Sequence, residues 1–532
     1  MRGKGKTLRP SPDPARLKSI DASRSMGALF PDMDMIASCL APTSNSRNCR
    51  SGILGTIQPR QVPSSRLWQL VGALLLASVS GFADKIAVND TSDATLRNAI
   101  TSANPGDVIT FNSSLSGQTI VLTGGALTIS VNLTIDASDL AEGLCISGNG
   151  ASRVFYINGA GDVVFKGFEI VNGFSGAGQD GGGIYIDEGS LTLIGMSLTG
   201  NATGGGIANQ EPGDNGGAGG GIFNNSGTLI LLNSTLSGNS TGEGASTVDI
   251  FNFPAGSGGN GGGICSLSGT LIIENSTISG NSCGRGRESI FAGSGGNGGG
   301  IYGTGSDLTI RNSTITANRS GHATVDNTGS AGSGGGLYLA SGSLTLTNSI
   351  VAGNSLGNAG NSGPAFGPDI RPGSATLTPT GANLIGNNDQ VTGVFPEGSL
   401  VGTSSTPLDP LLDPLSGLAK FPMVHVPMTG SPAIDAGVNT ELSADGFDLD
   451  GDGNTVESLP IDQRGLDRTS GPAVDLGSVE DQTANLATRA RLLREIRKTQ
   501  IQLKKAKRAK EKTKVRSLRK KLSRLKFQLH HI

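Results

Sequence analysis

The segment DLDGDGNTVESL, which begins at Asp448, carries oxygen-donor side chains at the spacing of a calcium-binding loop. Asp448, Asp450 and Asp452 take the first, third and fifth places of such a loop, and a glycine follows at its turn. The twelfth place, where a bidentate glutamate belongs, is a leucine, so the missing carboxylate must come from Glu457 or Asp462. The three aspartates predict a calcium site, the one cofactor that the sequence suggests, with a solvated acidic turn as the alternative.

Catalysis on a polysaccharide needs paired carboxylates, or acids beside a proton acceptor, on one face of neighbouring repeats. The 21-residue repeats of this chain hold five charged residues, at differing places: Asp187, Glu188, Glu274, Asp307 and Arg311. Arg311 follows Glu274 at the same place of the next repeat, which predicts a cross-strand ion pair. His322 and His425 have no nucleophile or metal partner at a suitable spacing. The sequence therefore predicts no catalytic residue.

Five repeats of 21 residues must position any such site, and they begin at Gly181, Gly219, Gly261, Gly298 and Gly334. In GGGIFNNSGTLILLNSTLSGN, Leu229 and Leu231 alternate with other residues, which predicts a strand with one buried face. Ile222 and Leu236 mark two further short strands. Three strands repeated at fixed length predict parallel pairing through right-handed crossovers, and hence an all-β right-handed parallel β-helix.

Two rows of asparagine recur at fixed places in these repeats. Because stacked coils lie about 4.8 Å apart, equivalent amides can hydrogen-bond from coil to coil. The first row closes each repeat: Asn201, Asn239, Asn281, Asn318 and Asn354. The second row lies in the preceding turn: Asn233, Asn275, Asn312 and Asn348. The segments between repeats are 15 to 21 residues long and rich in glycine, and their least repetitive parts are GRGRESIF and STVDIFNF.

Charge divides the 532 residues into an acidic body and a basic tail, although the formal net charge is only -2. Residues 489–526 hold eighteen Lys/Arg and two acids. Such density favours an anionic partner, which could be a membrane or wall polymer, nucleic acid, or the acidic solenoid itself. Without aromatic residues interleaved among the cations, we expect no specific nucleic-acid recognition. The leucines of the tail at three-four spacing predict a basic amphipathic helix or a coiled coil, through which the chain could self-associate.

The apolar run LWQLVGALLLASV is too short to span a bilayer and is followed by small residues, as in a secretory signal. Together with the patterns above, it divides the chain into five parts. They are a leader at 1–83 with its h-region at 67–79 and cleavage after Ala83, an amino-terminal cap with first coils at 84–150, the repeat β-helix at 151–380, a carboxy-terminal capping module with the calcium loop at 381–482, and the basic helix or coiled coil at 483–532.

Three stretches resemble known families. The repeats, with GGGI followed by NST-S-N, are similar to those of chlamydial polymorphic outer membrane proteins and other bacterial surface β-helices. ATLRNAI resembles the core of the CSLREAI domain that opens many secreted bacterial β-helices, although it lacks the cysteine and glutamate of that motif. SPAIDAG, PIDQRGLDR and AVDLGSVE look like the choice-of-anchor Q module that follows such β-helices. These resemblances imply export and a capping role for the last module.

We therefore expect a bacterial protein that is secreted or held at the outer cell surface. Its predicted function is adhesion to an extracellular polymer or another surface protein. The β-helix would serve as a scaffold that displays variable glycine-rich loops, and the basic carboxy-terminal helix would attach it to an anionic surface. The alternative is a carbohydrate-active β-helix enzyme, a polysaccharide lyase or glycoside hydrolase, with its site hidden in the segments between repeats.

Overall fold

The computed structural model describes residues 83–159, 161–249, 251–324, 329–359, 364–417 and 422–530. The predicted leader, apart from its last residue, lies outside these ranges. From Lys85 to Val401 the chain winds into coils of short strands, and the strands form three all-parallel sheets. The structure is a right-handed parallel β-helix followed by two helices, which confirms the predicted fold class.

Strand bounds follow the order of pairing within each sheet. The first sheet contains β1 (Lys85–Val88), β2 (Val108–Phe111), β5 (Leu133–Asp136), β8 (Asp162–Lys166), β11 (Ser190–Ile194), β14 (Thr228–Leu232), β17 (Thr270–Glu274), β20 (Ser306–Arg311), β23 (Gly342–Thr347) and β26 (Thr376–Thr380). The second contains β4 (Leu127–Ile129), β7 (Phe155–Ile157), β10 (Ile184–Ile186), β13 (Ile222–Asn224), β16 (Ile264–Leu267), β19 (Ile301–Thr304), β22 (Leu337–Leu339) and β25 (Ile370–Arg371). The third contains β3 (Thr119–Val121), β6 (Cys145–Ser147), β9 (Glu169–Val171), β12 (Ser197–Thr199), β15 (Thr235–Ser237), β18 (Thr277–Ser279), β21 (Thr314–Thr316), β24 (Ile350–Val351), β27 (Leu384–Ile385) and β28 (Leu400–Val401).

The apolar places of the repeats stack in register to form one continuous core. Leu229 pairs with Leu191 on one side and with Leu271 on the other. These side chains, like Leu231 and Leu236 from the same coil, are completely buried. Burying a side chain of this size contributes about 1.5–3 kcal/mol. The stacked coils therefore supply the main stabilisation of the solenoid.

The first asparagine row forms the predicted ladder. In each step a side-chain oxygen accepts from the backbone N–H and the amide of the asparagine before it, as Asn281 Oδ1 does from Asn239 at 3.0 and 2.9 Å. The ladder ends on Asp369, whose Oδ1 accepts from the backbone and side-chain nitrogens of Asn354 at 3.1 and 2.9 Å. Burial raises the pKa of this carboxyl to about 6.

The second row has a different role from the one predicted. Asn233, Asn275, Asn312 and Asn348 all have φ between 45° and 52°, a left-handed turn conformation that asparagine adopts more readily than most residues. Only the Asn275 amide donates along this row, to Asn233 Oδ1 at 2.6 Å. The serine that follows each asparagine forms the ladder instead: the backbone N–H of Ser234 donates to Ser276 Oγ at 3.0 Å, and the pattern repeats in the next coils.

A short helix covers the first coil, as the sequence predicts. Helix α1 (Asp93–Ser102) buries Leu96, Ala99 and Ile100 against the solenoid. The Asp93 carboxylate accepts from the backbone N–H groups of Thr123 and Gly124 at 2.9 and 2.7 Å. These bonds attach the helix to the coil below it.

Residues 403–482 lie along the outer face of the third sheet. Gln463 donates to Ser234 O at 3.0 Å and accepts from Thr277 Oγ1 at 2.6 Å. His425 shares a hydrogen bond of 2.7 Å with Ser279 Oγ. Further along, the Asn348 amide donates to Val438 O at 3.0 Å. The segment thus covers the flank of several coils, while the strands at Leu384–Ile385 and Leu400–Val401 extend the solenoid itself.

The basic tail forms two helices, α2 (Thr483–Arg508) and α3 (Lys512–His530), which pack on each other as a hairpin. Lys510 takes a φ of 58° in the turn between them. Leu492 and Ile496 of α2 are buried against Leu525 of α3. In the described part of the chain, neither these helices nor α1 combines the length and apolar character needed to cross a bilayer.

Candidate functional site

The segments between repeats form ordered arms rather than loose loops. We call residues 202–218, 240–260 and 282–297 the insert arms; each leaves its coil after a ladder asparagine and returns at the next glycine triplet. Within the second arm, Gly256 N donates to Ala245 O, and Gly259 N to Gly242 O, both at 2.9 Å. Between arms, Gly258 N donates to Ser294 O at 2.9 Å. The arms therefore form a second hydrogen-bonded layer beside the β-helix.

Close packing explains the glycine content of this layer. A Cβ on Gly242 would overlap the carbonyl oxygen of Gly204, and one on Gly259 would overlap that of Gly217. Gly296 meets the carbonyl of Gly259 in the same way. These glycines do not adopt positive φ, so the reason for glycine here is the approach of backbones and not a left-handed turn.

One hydroxyl or thiol secures the base of each arm. Thr203 Oγ1 donates to Gly217 O at 2.5 Å, Thr241 Oγ1 to Gly259 O at 2.6 Å, and Cys283 Sγ to Asn297 O at 3.3 Å. Cys265 and Cys283 are both free and buried, so the expected pair of ordinary thiols is confirmed. Burial raises the pKa of Cys283 to about 12, which leaves this thiol protonated and unreactive at neutral pH.

The arm tips carry the most exposed apolar side chains of the solenoid. Val248, Phe251, Ile290 and Phe291 are each 50–67% exposed, and Ile207 extends the same line on the first arm. We call these five residues the apolar edge. Ala255 N donates to Phe291 O at 2.9 Å, which fixes the second and third tips beside each other. Exposed apolar groups grouped in this way are typical of a binding surface.

A shallow cavity of about 440 Å³ lies between the first and second arms, next to this edge. Thr203, Thr241, Glu243 and Arg287 line it, with glycine backbone between them. Arg287 Nη2 lies 3.4 Å from Glu243 Oε2, and Arg287 Nε donates to Gly244 O at 3.1 Å. The cavity offers backbone polar groups and an exposed ion pair, which suits a polar ligand chain beside the apolar edge.

The predicted calcium loop is folded like the first half of such a loop. Gly453 N donates to Asp448 Oδ1 at 2.9 Å, which brings the first and sixth places together. Carboxylate oxygens of Asp448, Asp450 and Asp452 lie within 4.8 Å of one another. A second group within the same distance joins Asp450 to Asp445 and Glu457.

This acidic loop fits a hard cation. Glu457 takes the place of the missing twelfth ligand, whereas Asp462, the other candidate, accepts from the Arg464 guanidinium at 2.6 Å. Asp445 was not among the candidates, since it precedes the motif. The pKa of Asp445 is raised by burial and by the neighbouring carboxylates of Asp450 and Asp448. A divalent cation bound by these oxygens would relieve that repulsion.

The remaining candidates for chemistry have structural roles. The register places Glu274 beside Arg311, as predicted. Glu274 is buried and accepts from Ser443 Oγ of the covering segment. Burial raises the pKa of Glu274 to about 7, partly opposed by the positive charge of Arg311. His425 Nδ1 is 2.7 Å from Asp413 O, so both ring nitrogens are occupied in holding that segment on the sheet.

An aromatic row on the second sheet was not identified from the sequence. The residue after each GGGI or GGGL motif faces outward, and Tyr185 stacks on Phe223 with ring centroids 5.0 Å apart. Tyr302 and Tyr338 form a second stacked pair at 5.5 Å. The recurrence of aromatic residues at this place was the available signal. Phe223 is buried, so this row contributes to packing at that point rather than to an open surface.

The chain matches no protein-family model, no curated protein and no solved structure. The resemblances noted from the sequence are therefore similarities of short motifs. Functional inference rests on the arms, the acidic loop and the basic hairpin.

Proposed function

We propose that this protein is an exported scaffold at the bacterial cell surface that binds an extracellular partner through the apolar edge of its insert arms. The observation that carries the proposal is the alignment of exposed Val248, Phe251, Ile290 and Phe291 at the tips of neighbouring arms. In this view, the β-helix is the support, and the arms are the functional element.

The rigidity of the arms favours binding. Each tip is held by backbone hydrogen bonds within its own arm and to the next arm, such as Gly244 N to Arg285 O at 2.9 Å. A surface that is ordered before the partner arrives loses little conformational entropy on binding. Large side chains such as Phe251 and Phe291 provide the apolar area on which binding energy usually depends.

Export and attachment follow from the two ends of the chain. The secretory pattern at 67–79 and the ATLRNAI motif support passage to the outside. The basic hairpin at 483–530 supports attachment to an anionic surface, because its cations are far more numerous than its acids. An extracellular location would also expose the acidic loop to the calcium concentrations at which weak loops of this kind bind the ion.

Calcium would have a structural role. Asp445, Asp450 and Glu457 lie in the segment that covers the third sheet, and a cation between them would tie both sides of the loop together. We propose that calcium stabilises this covering segment and does not take part in catalysis.

The binding role is tested with isolated envelopes of the source bacterium as the probe. We expect the labelled full-length protein to be retained and the double variant Phe251→Ser/Phe291→Ser to lose most of this retention. Val394→Ser, which removes a 38% exposed apolar side chain outside the arms, is the matched control and should bind like the wild type.

Equal retention of the edge variant and the wild type would refute the proposal. Turnover of pectin or alginate by the wild type, lost in neither variant, would favour the alternative of a polysaccharide lyase or hydrolase.

A further inference from the structure

We infer that the carboxy-terminal hairpin docks on the surface of an anionic lipid bilayer through the outward face of α2. This inference rests on the proposal that the hairpin is the attachment segment, and it specifies the partner. The sequence left a membrane, a wall polymer, nucleic acid and the acidic solenoid as alternatives; the arrangement of side chains in the hairpin distinguishes among them.

The inner faces of the two helices are already occupied by each other. Leu492 and Ile496 of α2 pack against Leu522 and Leu525 of α3. Lys521 Nζ lies 3.6 Å from Glu495 Oε2 and links the helices across the hairpin. The three-four leucine pattern of the tail is therefore used within the chain, so it does not require a second copy.

The outer face of α2 keeps a separate apolar stripe. Leu486, Leu493 and Ile501 are 48–63% exposed. They are seven and eight residues apart, which places them on one side of a helix with 3.6 residues per turn. That side lies opposite the buried Leu492 and Ile496. In the described residues, no other element covers this stripe.

Cations share this face. Arg497, Lys504 and Arg508 follow Leu493 at intervals that keep them on the same side of α2. All seventeen Lys/Arg between residues 491 and 526 are exposed. Within the described hairpin, the ion pairs are Lys514–Glu511 and Lys521–Glu495, so most of these charges are available to an external anion.

The combination of aliphatic stripe and flanking cations fits a lipid surface better than a soluble polyanion. Nucleic acid or an anionic polysaccharide attracts Lys and Arg but gains nothing from exposed leucine and isoleucine. A bilayer can accept all three apolar side chains at the level of its headgroups, while the long stems of Arg and Lys reach its phosphates. Charge alone would explain Arg497 and Arg508 but not Leu493 between two charged turns.

The test measures cosedimentation of the full-length protein with phosphatidylcholine vesicles, with and without phosphatidylglycerol. We expect binding only when phosphatidylglycerol is present, and weaker binding in high salt. The triple variant Leu486→Ser/Leu493→Ser/Ile501→Ser should bind these vesicles about tenfold more weakly or worse. Because all three side chains are exposed, we expect an unchanged circular dichroism spectrum.

Two comparisons separate this inference from its alternatives. Phe251→Ser/Phe291→Ser should bind vesicles like the wild type, so failure of the edge and failure of the hairpin are read independently. The triple variant should bind heparin as the wild type does, because heparin contacts only the cations. Vesicle binding unaffected by the triple substitution would overturn the inference, as would a wild-type dimer that the substitution dissociates or wild-type binding to heparin without binding to vesicles.

Discussion

Replacing one ladder asparagine should destabilise the solenoid far more than replacing an equally buried asparagine one turn earlier. The side chain of Asn281 takes part in four hydrogen bonds. Its amide donates to Leu236 O and Asn318 Oδ1, at 3.0 and 2.9 Å. Its oxygen accepts from the backbone and side chain of Asn239. Alanine at this position removes all four.

The magnitude follows from these contacts. A buried hydrogen bond contributes about 1 kcal/mol net, so the four together contribute about 4 kcal/mol. Asn281→Ala also leaves Leu236 O and the backbone N–H of Asn239 without this partner in a site with no exposure. We therefore expect a loss of about 4 kcal/mol in the free energy of unfolding.

Asn312→Ala provides the matched control. Asn312 is also completely buried, but its side-chain nitrogen and oxygen have no hydrogen-bond partner among the described residues. Its φ of 45° makes alanine unfavourable by about 1 kcal/mol. Both variants are compared by guanidinium denaturation followed by circular dichroism. Equal losses for the two variants would refute the conclusion that the ladder hydrogen bonds stabilise the stack.

Three further predictions concern the flank, the arms and the acidic loop. Because burial raises the pKa of Glu274 from 4.5 to about 7, the folded protein favours its protonated form, and the free energy of unfolding should fall as the pH rises through this range; Glu274→Gln should reduce that fall in denaturation series across it. Gly242→Ala should cost about 1–3 kcal/mol in thermal unfolding, whereas at Gly176 a Cβ has its nearest neighbour at 3.8 Å and alanine should be tolerated. Calcium should raise the melting temperature of the wild type and of Asp139→Asn but not of Asp450→Asn, and an equal response of all three would exclude the acidic loop as the site.

The sequence predicted the coils because each strand carries its own periodic signal. Leu229 and Leu231 alternate within one repeat, and the same places recur at fixed spacing in the next repeats. Parallel stacking of identical units then leaves one register, which the pairing of Leu229 with Leu271 confirms. The first asparagine row followed from that register without further information.

The second asparagine row was misassigned because spacing alone does not report backbone conformation. Asn233 recurs as regularly as Asn239, but its φ of 49° turns the chain and leaves the ladder to Ser234. Similarly, Asp445 lies outside the calcium motif and joins the acidic cluster only through the fold of the loop. Residues brought together by a turn or by the covering segment are not visible in a periodic pattern.

The arms show why repetition and function occupy different parts of this molecule. The stack fixes successive arm bases about 4.8 Å apart, so the arms can only lie side by side, and glycine is required wherever their backbones meet. At the tips this restriction ends, and Phe251 and Ile290 can differ from coil to coil without disturbing the layer. A change at Gly242 would thus alter the whole surface through folding, whereas a change at Phe251 would alter only what the surface contacts. The place where the sequence stops repeating is therefore the place where selection for a partner can act independently of stability.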